Sequence, residues 1–400
     1  MHGDGHHRLD RHEIGVVGRP VLGRPKRRVF AMIVHPDINT DVRADIGRVA
    51  TAILERTAAG TGLQLFVARH GEVLVDRALG FTLGAEPMTS DHLHNGFCVG
   101  KPLLGVAAAL LIEQGCVDLG TRVADVIGAQ PWVPDGVTVG QVLSHDAGLL
   151  RPFGFEWRLC PPGTRAEFLE SISNEIGPAY SEVGAGLIIE GLIEATTNEA
   201  ATAFIERTIL RPLGLADDIV IDAALAQSPA VRARVRVPIG GLPERRIPLL
   251  SERVGHQLAE IRPAFGCLVT MSGVGRLASA LERVANGHDV AGLASPATTT
   301  RLLAARRGRH RDRSMRRECD FAAMTQVGLD AHRISDSAST RAFGHVAGIA
   351  NCIMLADPAT GIALAAYLNG STLGDPLRAE ATRLELVDGV IGAIIGDDEP

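Results

Sequence analysis

From Asp41 to about Ala58 the apolar residues recur at a helical period, with Ile46, Val49, Ile53 and Leu54 on one face, and the spacing predicts an amphipathic helix. The pattern then changes to short apolar runs. Leu63–Ala68 and Val73–Leu79 read as strands joined by Arg69, His70, Gly71 and Glu72, with the glycine supplying the turn. A second strand pair, Ile349–Leu355 and Ile362–Leu368, sits near the other end around Asp357, Pro358, Ala359, Thr360 and Gly361. A helix over about Pro376–Ile395 follows it. Between the two pairs helical periodicity dominates, over Pro102–Gln114, Val139–Ser144, Gly184–Thr196, Glu199–Ile209 and Gly273–Ala285.

This order predicts an α/β (α+β) chain: one antiparallel sheet assembled from both termini, flanking helices, and a helical lobe inserted between its halves. The expected units are a flexible leader over residues 1–40, a sheet domain from 41–100 and 262–400, and a helical domain over 101–261. The leader is rich in His, Arg, Gly and Pro, and His2, His6, His7, His12 and His35 read as a solvated tail rather than a metal site. No internal repeat interrupts the rest.

Composition narrows the class. The chain has 400 residues, 46% hydrophobic and 22% charged, which is enough for a sizeable core and excludes wholesale disorder. A net charge of -6 gives no general attraction to phosphate backbones, so no nucleic-acid partner is expected. Lys26, Arg27 and Arg28 begin like a twin-arginine export signal, but the apolar run behind them ends at Val34. Leu103–Ile112, stopped by Glu113, is well short of the roughly 18 apolar residues a membrane span needs. The expected setting is cytoplasmic, with no membrane association. Six cysteines lie far apart without paired C/H spacing, so neither a zinc site nor a disulfide framework is expected, and no cofactor is implied.

One bias points to chemistry. Lys26 and Lys101 are the sole lysines among 40 basic residues, so arginine supplies positive charge almost everywhere. Arginine does not give up its proton, whereas a partly buried amine can be tuned, so Lys101 invites an explanation. Tyr180 stands out similarly, as one of two tyrosines. In F-C-V-G-K-P-L-L-G-V-A-A-A-L-L-I, residues 97–112, Cys98 opens an apolar helix and Lys101 follows one turn later. Residues three apart share a helix face, so thiol and amine can meet. The helix N-terminus and the ammonium both favour negative charge on the sulfur. The segment therefore reads as a nucleophile with its counter-ion, or else as a packed cysteine beside a solvated lysine.

These residues also resemble a known family. Cys98, Val99, Gly100, Lys101 looks like the Ser-x-x-Lys motif of serine β-lactamases and penicillin-binding proteins, particularly class C β-lactamases and related esterases and transacylases, with Cys in place of Ser. Further landmarks follow in the family's order. Leu143–Leu149 resembles the LLSHTSGL segment; Pro162, Gly163, Thr164 resembles PGT; Tyr180, Ser181, Glu182 resembles YSN; Phe204–Leu215 resembles the helix ending in PLGM. Gly344–Gly348 occupies the place of the Lys-Thr-Gly or His-x-Gly strand. The resemblance covers about residues 60–395. It implies a β-lactamase-like fold with catalytic residues Cys98, Lys101 and Tyr180, and with Glu182, His345, Ala347 and Gly348 in the oxyanion and substrate-binding positions. The departures are equally specific: cysteine for the nucleophilic serine, Glu182 for an asparagine, and Ala347 for a glycine.

The resemblance implies that Cys98 attacks a carbonyl to form an acyl-thioester, that Tyr180 moves protons, and that the Cys98 N–H with one near Gly348 stabilises the oxyanion. Glu182 is expected near Lys101, holding it charged. The expected function is an acyl-enzyme hydrolase or acyltransferase acting on a small-molecule ester, thioester or amide. The alternative is a catalytically silent binding protein of the same fold. The arginine-rich run Arg306–Arg317 reads as a solvated loop, or as a dock for an acyl carrier protein or phosphate-bearing donor.

Overall fold

The computed structural model describes residues 40–57, 61–82, 86–130, 132–149, 176–236, 261–264, 266–347, 352–369 and 376–396. The leader, the Pro162, Gly163, Thr164 motif and Gly348 lie outside the described residues.

The predicted first helix is α1, Thr40–Arg56. It leads into the hairpin of β1, Gly62–Arg69, and β2, Glu72–Gly80. His70 (φ 50°) and Gly71 (φ 82°) both take left-handed conformations at the turn, as a two-residue hairpin with native twist requires. Next come β3, His94–Phe97, a 3-10 turn at Cys98–Gly100, and α2, Lys101–Glu113. The middle of the chain holds the one-turn helix Val139–Leu143, then α3, Gly184–Thr197, and β4, Ile219–Val220. After β5, Cys267–Val269, come α4, Met271–Ala285, and α5, Pro296–Ala304. Strands β6, His310–Arg311, β7, Glu318–Ala322, β8, Thr325–Val327, β9, Phe343–Ala347, β10, Cys352–Asp357, and β11, Ile362–Leu368, precede α6, Pro376–Ile395.

The main sheet has the order β2-β1-β11-β10-β9-β8-β7-β6, and its strand pairs are antiparallel. The N-terminal hairpin thus zips onto the C-terminal strands, with Leu63 opposite Leu368 and Arg69 opposite Ile362. That is the sheet from both termini expected from the sequence. Strands β10 and β11 are buried at every residue and β1 at all but its last, so they read as continuous apolar runs rather than alternating ones. Helix α4 packs against β1, β10 and β11, while α1 packs on α6 and the first hairpin.

Three expectations shift in detail. The helix expected over Glu199–Ile209 begins at Ala201–Ile205 and widens into a π-helical turn at Glu206–Leu210. A small second sheet, β3-β5-β4, and strands β6 to β8 escape sequence reading. They are two to five residues long, too short for a period to register. No described helix is long and apolar enough to cross a membrane.

The close seat of α4 on the sheet can be tested. A Cβ at Gly275 would lie 2.0 Å from Phe66 Cδ1 and 2.7 Å from Phe66 Cβ, so the helix reaches β1 because residue 275 has no side chain. Gly275→Ala is expected to destabilise by about 1–3 kcal/mol through overpacking, despite the better helix propensity of alanine. Urea unfolding would show a lower midpoint at an unchanged slope.

Candidate active site

The site is built where β3 ends and α2 begins. Phe97 has φ 46° and ψ -118°, a conformation that L side chains rarely adopt, and the Asn95 carboxamide oxygen accepts its N–H at 2.9 Å. This sharp exit sends the chain straight into the turn that carries Cys98. Gly100 then has to be glycine: a Cβ there would lie 2.0 Å from the Pro263 carbonyl and 2.8 Å from Cys267 Sγ. Its absence lets the turn lie flat against residues 263–264. The turn also packs against β9 and β10. Cys98 keeps 9% exposure and Tyr180 7%, whereas Lys101 and His345 have none.

Lys101 is fully buried, and its ammonium donates to the carbonyls of Glu182 at 2.6 Å and Ala264 at 3.0 Å. The Glu182 peptide, together with that of Ala264, therefore takes the cation that the sequence reading assigned to the Glu182 carboxylate. Lys101 Nζ also lies 5.3 Å from the centre of the Tyr180 ring. The Cys98 side chain lies close enough to the Tyr180 phenol for its charge to act on it. Sequence spacing predicted a thiol–amine meeting; the described hydrogen bonds of the amine go to two backbone carbonyls.

Tyr180 is enclosed by aromatic rings. His145 lies 4.8 Å away centre to centre, Phe321 stacks at 5.3 Å and 17°, and His345 lies at 5.9 Å. Burial above all, then the charges of Cys98 and Glu182, hold the phenol well above the usual tyrosine range, so it rests as a proton donor. Burial, followed by the charge of Lys101, holds His145 and His345 well below the usual histidine range, so both rings stay neutral. His145 Nδ1 accepts the Ser181 N–H at 3.2 Å. Its Nε2 and that of His345 are buried with no hydrogen-bond partner among the described residues.

The motif resembling LLSHTSGL has a positional role. His145, at φ 53°, turns its carbonyl to accept the Ala179 N–H at 3.0 Å, and Asp146 accepts the Gly177 N–H at 3.1 Å. The two segments run side by side, which sets the Tyr180 ring against His145. His345 and Ala347 share one face of β9, two residues apart, both buried.

The arginine-rich run departs from the solvated loop expected. Arg307 and Asp312 form an ion pair at 2.9 Å with both side chains fully buried, and Asp312 Oδ2 accepts the Tyr180 N–H at 2.8 Å. Arg309 pairs with Asp330, and Arg317 with Glu380. Arg306, Arg311, Arg313 and Arg316 are exposed, as anticipated. Sequence reasoning missed Asp312; the signal was a lone carboxylate inside a run of arginines. Among the described residues no group of three or more His, Cys, Asp or Glu side chains is placed to hold a metal ion.

A profile of the family described as "Beta-lactamase" matches residues 50–388. No curated protein sequence matches the chain. Several solved structures are similar. A penicillin-binding protein homolog from Caulobacter crescentus superimposes with a TM-score of 0.68 at 23% identity, over 89% of this chain and 98% of that one. A family VIII carboxylesterase gives a TM-score of 0.68 at 20% identity, over 89% and 98%. EstCE1, described as a hydrolase with promiscuous acyltransferase activity, gives 0.61 at 17%, over 86% and 98%. At these identities the likeness is one of fold.

Proposed function

The chain belongs to the β-lactamase family, and we propose from this that it is an acyl-enzyme hydrolase or acyltransferase whose nucleophile is Cys98. The observation that carries the reading is the convergence of the Cys98 side chain and the buried Lys101 ammonium on Tyr180, with Lys101 Nζ 5.3 Å from the ring centre. Nucleophile, proton carrier and fixed cation are then neighbours, and Lys101 is the only lysine among the described residues.

In the first half-reaction the Cys98 sulfur, reacting as the thiolate, adds to the carbonyl carbon of an ester, thioester or amide, and the C–S bond forms. The bond to the leaving group breaks, and the leaving atom takes the phenolic proton of Tyr180. In the second, water or another acceptor returns a proton to Tyr180 as its oxygen, sulfur or nitrogen attacks the thioester, and the C–S bond breaks. Lys101 stays an ammonium, stabilising negative charge on sulfur and then on the phenolate. The N–H of Cys98, with a second from the end of β9 around Ala347 and Gly348, is the proposed oxyanion site, worth about 3 kcal/mol per donor. Cysteine at this position favours acyl transfer, because a thioester is readily captured by amines and thiols.

Within the family the closest reading remains a class C-like relative, with the cleft between a sheet domain (41–100 and 262–400) and a helical domain (101–261). A cytoplasmic setting suits the thiol nucleophile. The acyl donor is a small molecule or an acyl carrier thioester.

The test is intact-mass analysis after incubation with a small acyl thioester, with peptide mapping of the adduct. One acyl group on the Cys98 peptide, lost on adding an amine with formation of the amide, is the expected result. Cys267, Cys319 and Cys352 are fully buried and should stay unmodified. Absence of both adduct and turnover would overturn the enzyme reading in favour of a silent binding protein.

A further inference from the structure

Arg307 and Asp312 present a case that stability alone explains poorly. Both side chains are completely buried, and an ion pair in such a place is generally no better for stability than apolar residues of the same volume. The contacts of this pair converge on one residue. Asp312 Oδ2 accepts the Tyr180 N–H at 2.8 Å while pairing with Arg307 Nη1, and Oδ1 accepts the N–H groups of Ser314 and Met315, both at 2.8 Å. Arg307 Nη1 also donates to the His145 carbonyl at 2.8 Å, and Nη2 donates to the Cys319 carbonyl at 3.1 Å. The guanidinium lies 4.8 Å from the centre of Phe321, whose other contacts include the stacked Tyr180 ring.

Tyr180 is thus gripped in three ways: through its own amide by Asp312, through the His145 segment by Arg307, and through its ring by Phe321. The backbone joins in, since the Arg313 N–H donates to the Pro178 carbonyl at 3.1 Å. A planar fork is needed to reach His145, Asp312 and Cys319 at once, which lysine cannot do. We propose that the buried Arg307–Asp312 pair is a positioning device for acyl transfer, holding the Tyr180 phenol at the Cys98 sulfur. The inference rests on the reading of Tyr180 as the proton carrier.

The charged and titratable groups facing Tyr180 are Cys98 from the 3-10 turn, Lys101 from α2, His145 beyond the Val139–Leu143 helix, Glu182 from its own segment, Asp312 from the arginine-rich loop, and His345 from β9. Asp312 disfavours ionisation of the phenol, so neutralising it should let Tyr180 lose its proton at lower pH.

The experiment compares Asp312→Asn, Arg307→Lys and Tyr180→Phe in steady-state hydrolysis of an alkyl ester. Asp312→Asn and Arg307→Lys are expected to lower kcat about 10- to 100-fold, the scale of a misplacement near 1 Å, with KM within about twofold. The alkaline limb of kcat should move to lower pH in Asp312→Asn and stay in place in Arg307→Lys, which keeps both charges. Folded variants with wild-type kcat and an unmoved limb would overturn the positioning role. Should either single variant fail to fold, the apolar double variant Arg307→Met/Asp312→Leu decides: impaired kcat in a folded protein supports the proposal, and wild-type kcat overturns it. If Tyr180→Phe is itself unimpaired, the reading of Tyr180 fails. If Tyr180→Phe is impaired while the pair variants are not, only the positioning role fails.

Discussion

Cys98→Ala is expected to lower ester turnover by about 10⁴-fold or more and to abolish the acyl adduct, because a nucleophile and its proton carrier act as a unit. The substitution removes one buried sulfur, so a modest loss of stability is expected, and an unchanged circular dichroism spectrum with a thermal midpoint well above the assay temperature would establish that the variant is folded. Cys98→Ser supplies the sharper comparison. A hydroxyl needs deprotonation to attack, and in this site the phenol rests protonated, so the serine variant should fall between alanine and wild type. Turnover by Cys98→Ala at the wild-type rate would move the chemistry to another group altogether.

Tyr180→Phe carries the second large effect. The phenol is the proposed proton carrier, and phenylalanine keeps the ring contacts with His145 and Phe321. Loss of a positioned proton carrier costs about 10²- to 10⁴-fold. The loss should depend on the leaving group. Alkyl esters, whose leaving oxygen needs a proton, should show the full effect, while aryl esters with acidic leaving groups should still acylate Cys98. Because the same phenol receives the proton of the attacking water, the acyl-thioester should then accumulate, visible as a stable mass increase. Equal kcat for both ester classes in wild type and variant would remove Tyr180 from the mechanism.

Much of the framework was legible in the chain. The first hairpin, the β10–β11 pair and the helices α2, α3 and α4 lie within one to three residues of the positions that periodicity and turn residues predict. The ends were also read correctly as partners in one sheet, since strand pairs at both termini leave few other ways to bury their apolar faces. The short strands β3 to β8 were not legible, because at two to five residues none is long enough to show a period. The candidate site divides in the same way. Cys98 and Lys101 stood out through spacing and rarity, and Tyr180 through rarity and its motif. Arg307 and Asp312 did not, because nothing in a run of arginines tells which guanidinium will turn inward.

The sequence by itself determined which residue types are available for chemistry: a cysteine at a helix mouth, a lysine one turn away, and a tyrosine in a matching motif. It also determined the order of the elements that carry them. Tertiary structure alone decided who meets whom. Lys101 turned to two peptide carbonyls, and Asp312, buried in an ion pair with Arg307, took the Tyr180 amide. The physical reason is burial. Once water is excluded, each polar group must take whatever partner the packing presents, and those partners come from segments that sequence spacing does not connect.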